Sequence, residues 1–366
     1  MVDSSNPLQF TEYGIPIRNL WHMLLYAWNE VSFKREWAVE AVKHAPTLDA
    51  LLASVLLKLM QGRLRVGLGH DYVGVRQTVQ TIRGRIDFGE SLKRRTFERG
   101  QVHAAFQKYS ANSLKNQIIR STLTRLIQAG HFGTETDPVR ELRRRLRRLN
   151  RDLDGIDLIE VTPELIGRAQ AAQHDRDYRL MLAICDLIVQ RQMPDGPGAE
   201  TTVPAVDREA LVLHNVYERF VAGFYRVHLQ GWEVSAQPRL EWHARSASER
   251  LPSMIPDLVL QEKSSGRLMI IDTKFTAHSL VENRWGKPVF DSAHMYQLYA
   301  YLKSQEHLSQ AHRSATGVLL YPAVQAKLAE RIELQDHVMR IESVDLAAQW
   351  EAVERQLLEV TDLTGL

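Results

Sequence analysis

The segment from Ile255 to Phe275 constrains the fold more than any other stretch of this chain. Ile255 to Leu260 and Arg267 to Phe275 are short apolar runs separated by the turn-forming Lys263-Ser264-Ser265-Gly266, so they read as the two strands of one hairpin. Side chains alternate along a strand, which puts Asp272 and Lys274 on one face and Thr273 on the other. Asp257 lies on the partner strand, just after Pro256, a residue that resists a central ladder position. Pairing through the turn brings Asp257 and Asp272 together, with Lys274 beside them. Hard carboxylate oxygens of this kind suit Mg²⁺ or Mn²⁺. Such an ion acidifies water and stabilises charge on a phosphate, while the lysine orients the water or neutralises the developing charge. The competing reading is a surface hairpin with a cross-strand ion pair. Against it stands the apolar run Leu268, Ile270 and Ile271 leading into Asp272, because a charge ending a buried strand is costly unless paired or metal-bound.

Two flanking segments extend the pattern. Leu213, Val216, Tyr217, Phe220, Val221 and Phe224 form a helical stripe within Leu211 to Leu229, and Glu218 in that helix is placed to reach a metal from the side. Met295 to Leu302 reads as a second helix, in which Gln297 and Tyr301 are four apart and share a face, suited to holding a DNA backbone or the lysine. In chain order, Glu218, Pro256-Asp257, Asp272-Thr273-Lys274 and Gln297-x-x-x-Tyr301 resemble the PD-(D/E)xK nuclease superfamily, particularly its RecB-like branch.

Length and composition are compatible with this reading without requiring it. A chain of 366 residues accommodates two domains, and 44% hydrophobic with 25% charged residues is ordinary for a soluble globular protein. The single cysteine, Cys185, excludes an internal disulfide or a thiolate cluster and reads as a small buried hydrophobe. No run is long and apolar enough for a membrane span and no cleavable signal is visible, so a cytoplasmic location is the expectation. The formal charge of +2 makes any nucleic-acid field a local matter. Pro138 to Asp152 supplies one: arginines at 140, 143, 144, 145, 147, 148 and 151 coat a helix whose apolar stripe is Leu142, Leu146, Leu149 and Leu153. It serves either phosphates or an acidic partner, or is simply a solvated face. A second basic stretch runs through Arg83, Arg85, Lys93, Arg94, Arg95 and Arg99.

Further helices are predicted over Asn19 to Trp28, Leu48 to Gln61, Leu114 to Gln128 and Arg179 to Arg191, with strand-like sequence from Arg63 to Phe88. Gly67-x-Gly69 lacks the third glycine of a dinucleotide loop. The scattered histidines lack zinc-helix spacing. The Pro/Gly-rich passage from Met193 to about Asp207 marks the expected boundary between domains at 1–200 and 207–366.

A closer resemblance runs the length of the chain. Ile15-Pro16-Ile17-Arg18-Asn19-Leu20-Trp21-His22-Met23-Leu24-Leu25-Tyr26-Ala27-Trp28 is similar to the opening of the McrC family, the nuclease subunits of McrBC modified-cytosine restriction systems. Ile82 to Phe88, Leu114 to Leu123 with Asn116, the Pro-Asp and Asp-Thr-Lys motifs, Met295 to Leu302 and Gly317 to Pro322 follow in order. The resemblance implies an α+β or α/β architecture, with an N-terminal mixed α/β adaptor and a C-terminal restriction-endonuclease-like PD-(D/E)xK domain. It implies an Mg²⁺-dependent endonuclease acting on double-stranded DNA, and a McrB-like AAA+ GTPase hexamer as partner. The partner binds the GTP, and this chain would stimulate its hydrolysis. Metal carboxylates then fall on Asp257 and Asp272, with Glu218 at the flank, and the catalytic lysine on Lys274; Gln297 and Tyr301 support the site. A pore-inserting element is expected within Arg63 to Arg99. The rival readings are a free-standing RecB-like repair nuclease and a regulatory subunit with a vestigial nuclease.

Overall fold

The computed structural model describes residues 11, 13–30, 45–192, 205–244, 246, 248, 250–276, 280–282, 287–323 and 328–361. These form two compact units: residues up to 30 pack with those from 205 onward, and residues 45–192 form the other unit. Most of the passage from Met193 to Asp207 lies outside the described residues.

The first helix, α1 (Ile17–Ala27), belongs with the C-terminal unit and not with the residues that follow it. The expected continuous domain over 1–200 is therefore interrupted after the first helix. The reason is local. Asn19 is fully buried and its Nδ2 donates to the carbonyls of Leu346 (2.7 Å) and Ala348 (2.8 Å). Tyr26 is bonded to His228 (2.7 Å) and Glu354 (3.1 Å). At Gly223 the Tyr26 carbonyl comes so close that a Cβ would lie 2.2 Å from it, so only glycine permits the crossing.

The unit spanning 45–192 begins with α2 (Leu48–Val66), capped by the Thr47 hydroxyl and ended at Gly67, φ 105°. The sequence predicts strand-like structure from Arg63, yet Arg63 to Val66 stay helical, with Arg63 and Arg65 favourably placed against the negative end of the helix dipole. There follow β1 (Asp71–Val79), β2 (Arg85–Ile86), α3 (Phe88–Lys93) and β3 (Val102–Ser110), which form a sheet of order β1-β3-β2. Helices α4 (Leu114–Ala129), α5 (Asp137–Asp152), α6 (Pro163–Ala171) and α7 (Arg176–Gln192) pack with α2 into the core. β1 and β3 pair antiparallel as one long hairpin whose connection carries β2 and α3, and Asn116 anchors its base: the Asn116 Nδ2 donates to the carbonyls of Gly69 and Ala111, and its Oδ1 accepts from the buried Tyr178 hydroxyl. Cys185 is buried on α7, as expected, and burial pushes its thiol up to about 12. Of the α5 stripe, Leu146, Leu149 and Leu153 are buried and Leu142 is partly so.

The remaining unit continues with α8 (Ala205–His228), β4 (Trp232–Ala236), β5 (Leu258–Glu262) and β6 (Leu268–Thr273). After the short pair β7 (Leu280–Glu282) and β8 (Pro288–Phe290) come α9 (Ser292–Gln305), α10 (Gln310–Arg313) and β9 (Thr316–Ala323). β10 (Ala329–Leu334), β11 (His337–Asp345) and α11 (Trp350–Thr361) complete it. The six-stranded sheet is mixed, in the order β10-β11-β9-β6-β5-β4, with β9 parallel to both its neighbours. The predicted hairpin is present: β5 and β6 pair antiparallel, Leu258 opposite Ile271, and Gly266 takes the left-handed turn position, φ 74°. β6 is central and buried along its whole length, which explains its unbroken apolar sequence. Ile270 of β6 and Leu319 and Tyr321 of β9 pack with Leu298, Tyr301 and Leu302 of α9 in one core cluster, so α9 covers the face on which Asp272 emerges.

Candidate active site

One step beyond the Leu258–Ile271 pairing, Asp257 would stand opposite Asp272 at the end of the hairpin. Asp257 sits at the bend before β5, and its Oδ2 accepts from both the amide and the hydroxyl of Thr273, each at 2.6 Å. Thr273 was expected only to face away from the site; it holds the first carboxylate in place. Asp272 is 2% exposed and pairs with Lys274 Nζ at 2.5 Å from its Oδ2. That oxygen nevertheless receives no hydrogen bond of good geometry. Burial above all pushes the Asp272 carboxyl up to about 6, and the negative charge of Asp257 adds to this while Lys274 opposes it.

Helix α9 supplies the second wall. Lys274 donates to Gln297 Oε1 (2.9 Å), Gln297 donates to the Tyr301 hydroxyl (2.8 Å), and Tyr301 donates to the Ile255 carbonyl (3.2 Å). The two residues chosen for their spacing thus form one chain of hydrogen bonds that ends on the lysine. His294, one turn earlier, meets the Tyr321 hydroxyl of β9 at 2.9 Å. Its imidazole is held below the usual range by burial first and then by the nearby Lys274 charge.

Helix α8 approaches from the Asp257 side. Glu218 accepts from Gln237 Nε2 at 2.5 Å, and its carboxyl is raised by burial first, then by the charge of Asp257 and, more weakly, of Asp272. Its field therefore overlaps theirs, as a flanking carboxylate should. Gln237 is left-handed, φ 48°, and its amide also donates to the Asp257 carbonyl (2.9 Å), so one strained residue ties both acidic segments. His214, one turn before Glu218, is lowered by burial first and also by Lys274, against the pull of Asp257.

Asp257, Lys274, Gln297 and Tyr301 are tied into the site around Asp272 by direct contacts, whereas Glu218 is linked to it through Gln237 and the field of the two aspartates. Gln237, His214, His294 and Tyr321 have no site role in the sequence pattern, and Thr273 has only the opposite face. Only the position of Thr273 inside the motif could have flagged it, because the others meet the site across strands and helices.

The donor set is hard oxygen throughout, and Asp272 Oδ2 is a buried, underbonded carboxylate oxygen, a combination that fits Mg²⁺. Among the described residues no three His, Cys, Asp or Glu side chains form a ready-made cage. Mg²⁺ needs only one or two protein carboxylates, the rest being water and substrate phosphate.

Fold and site together define an α/β protein that carries a carboxylate–lysine centre at the end of a buried central strand. The chain belongs to the McrBC 5-methylcytosine restriction system component family, whose model matches residues 5–322. It is 27% identical over 352 residues to the type IV methyl-directed restriction enzyme EcoKMcrBC of Escherichia coli strain K12, across 95% of this chain and 97% of that relative. Its fold is similar to that of a chain in the refined half-complex from the tetradecameric assembly of Thermococcus gammatolerans McrB AAA+ hexamers with bound McrC. The TM-score is 0.50 at 16% identity, covering 94% of this chain and 76% of that one. Among the described residues no helix is long and apolar enough to cross a membrane.

Proposed function

We propose that this chain is the Mg²⁺-dependent DNA endonuclease subunit of a McrBC-like, GTP-dependent restriction complex, and that it stimulates GTP hydrolysis by a McrB-like AAA+ hexamer. The observation that carries the nuclease reading is the buried Asp272, paired with Lys274 on its own strand and set beside Asp257. An isolated surface ion pair would have no reason to be buried at the end of a central strand. Membership of the restriction family, and the McrB hexamers named for the structural relative, support the partner.

Asp257 and Asp272, with Glu218 at the flank, would hold Mg²⁺, which supplies Lewis-acid activation of water and charge compensation at the phosphate. The Lys274 ammonium orients the attacking water and neutralises charge growing on the phosphate oxygens. Gln297, itself oriented by Tyr301, fixes the amine so that little reorganisation is needed during the reaction. Thr273 does the same for Asp257.

The test is plasmid cleavage by the purified chain with Mg²⁺, with and without its AAA+ partner and GTP, on methylated and unmethylated DNA. The proposal expects cutting only when Mg²⁺, partner and GTP are all present. Cutting by the chain alone, indifferent to GTP, would favour a free-standing nuclease.

A further inference from the structure

Helix α5 carries seven arginines, and the structure sorts them into two groups. Arg143 and Arg145 are tied to their own unit: Arg143 pairs with Glu135 (2.9 Å) and lies over the Phe132 ring, and Arg145 donates to Gln61 (3.0 Å). The other five are exposed. Arg140 and Arg144 have carboxylate neighbours, Asp137 and Glu141, one turn back. The side chains of Arg147, Arg148 and Arg151 make no ion pair or hydrogen bond among the described residues. Arg140, Arg144, Arg147 and Arg151 follow at intervals of four, three and four, so they line one helical face over about 16 Å, with Arg148 alongside. The apolar stripe of Leu146, Leu149 and Leu153 faces inward and fixes this orientation.

The chemistry of the face selects its partner. Protein–protein interfaces are organised around buried aromatic or aliphatic anchors, whereas DNA interfaces are strongly positive and polar. No large hydrophobic side chain is exposed anywhere from 137 to 152. The same unit does expose such groups elsewhere, at Tyr72, Ile82, Phe88, Leu92 and Tyr109. A row of exposed guanidinium groups, of which Arg147, Arg148 and Arg151 are unpaired among the described residues, with no apolar anchor beside it, is complementary to a repeating phosphate backbone.

We propose that α5 binds the phosphate backbone of duplex DNA through Arg147, Arg148 and Arg151, extended by Arg140 and Arg144. The proposal rests on the DNA substrate inferred above. It is tested on the full-length chain by fluorescence anisotropy with a short random-sequence duplex across a salt series, comparing wild type with two triple variants. In one, Arg147, Arg148 and Arg151 become Gln; in the other they become Lys. The expected result is that the Gln variant weakens binding on every sequence and flattens the slope of log affinity against log salt by about 3, while the Lys variant keeps the slope. Circular dichroism should be unchanged, since all three side chains are exposed.

A Gln variant with wild-type affinity and slope would overturn the proposal. So would unchanged DNA binding combined with lost stimulation of the AAA+ partner, which would assign the helix to an acidic protein surface. A wild-type chain that binds no duplex even at low salt would overturn it as well. If the wild type binds DNA with the expected arginine dependence yet never cuts, the nuclease reading fails and the α5 surface stands.

Discussion

The end of β6 and the β1–β3 hairpin handle polar and apolar groups in opposite ways. At the end of β6 the carboxyl of Asp272 is 2% exposed, its amine partner is pinned by a helix, and Asp257 is held by Thr273. Along the hairpin Tyr72 is 74% exposed and meets Tyr109 at a tilt, Tyr109 stacks in turn on His70, and Phe88 lies near Phe97 at the neighbouring turn. Burying charge raises the free energy of the native state and is retained where it does chemistry. Exposing aromatics forgoes hydrophobic stabilisation and is retained where a second surface covers them. On the proposed function, the first region is the reacting centre and the second is the surface offered to the partner.

The sharpest way to break this contrast is to alter the buried charges. Lys274→Ala or Asp257→Ala should slow Mg²⁺-dependent cleavage about 10³-fold or more, measured on plasmid with partner and GTP. Residual cutting near the wild-type rate would reduce the site to a structural ion pair. Thr273→Val keeps the shape but removes the hydroxyl that holds Asp257, and should cost about 10- to 100-fold in the same assay. An unaffected rate would mean that the backbone amide alone positions Asp257.

A stability measurement sharpens the comparison further. The folded Asp272 carboxyl, at about 6, lies above its ordinary 3.8. The unfolded chain therefore gives up this proton more readily, and the contribution of Asp272 to native stability falls as pH rises from about 4 to 6 and stays lowered above that. Asp272→Asn should accordingly stabilise the metal-free protein by about 1 kcal/mol at pH 8 and have little effect at pH 4, read by thermal denaturation. Added Mg²⁺ should stabilise the wild type but not this variant. The smallest effect on folding belongs to the hairpin: Tyr72→Ser with Tyr109→Ser should shift stability by no more than about 0.5 kcal/mol. The same pair should weaken stimulation of GTP hydrolysis by the partner. A large loss of stability would show that the aromatics serve the fold.

How much of this was legible depends on the range of the contact. The β5–β6 hairpin, the α8 stripe and the pairing of Gln297 with Tyr301 follow from periodicity and turn chemistry, which act over a few residues. Periodicity identifies which face of α1 is buried but not against what. Its place on α8 depends on Gly223 and on Asn19 reaching carbonyls far along the chain, and nothing nearby in the sequence announces either. Gln237 was invisible for the same reason. Its left-handed backbone and its grip on Glu218 exist only once β4 and α8 have packed. His294 and Tyr321 belong to different elements and meet only in the folded sheet. The arginines of α5 were readable as a cluster, but their division into tethered and unpaired side chains required the packed unit.

The most direct test compares two activities of one variant. Asp272→Ala is assembled with the AAA+ partner and assayed in parallel for plasmid cleavage and for stimulation of GTP hydrolysis. The account predicts that cleavage disappears while stimulation stays at the wild-type level, because the reacting centre and the recognition surface are separate. Cleavage at the wild-type rate would contradict the assignment of the site.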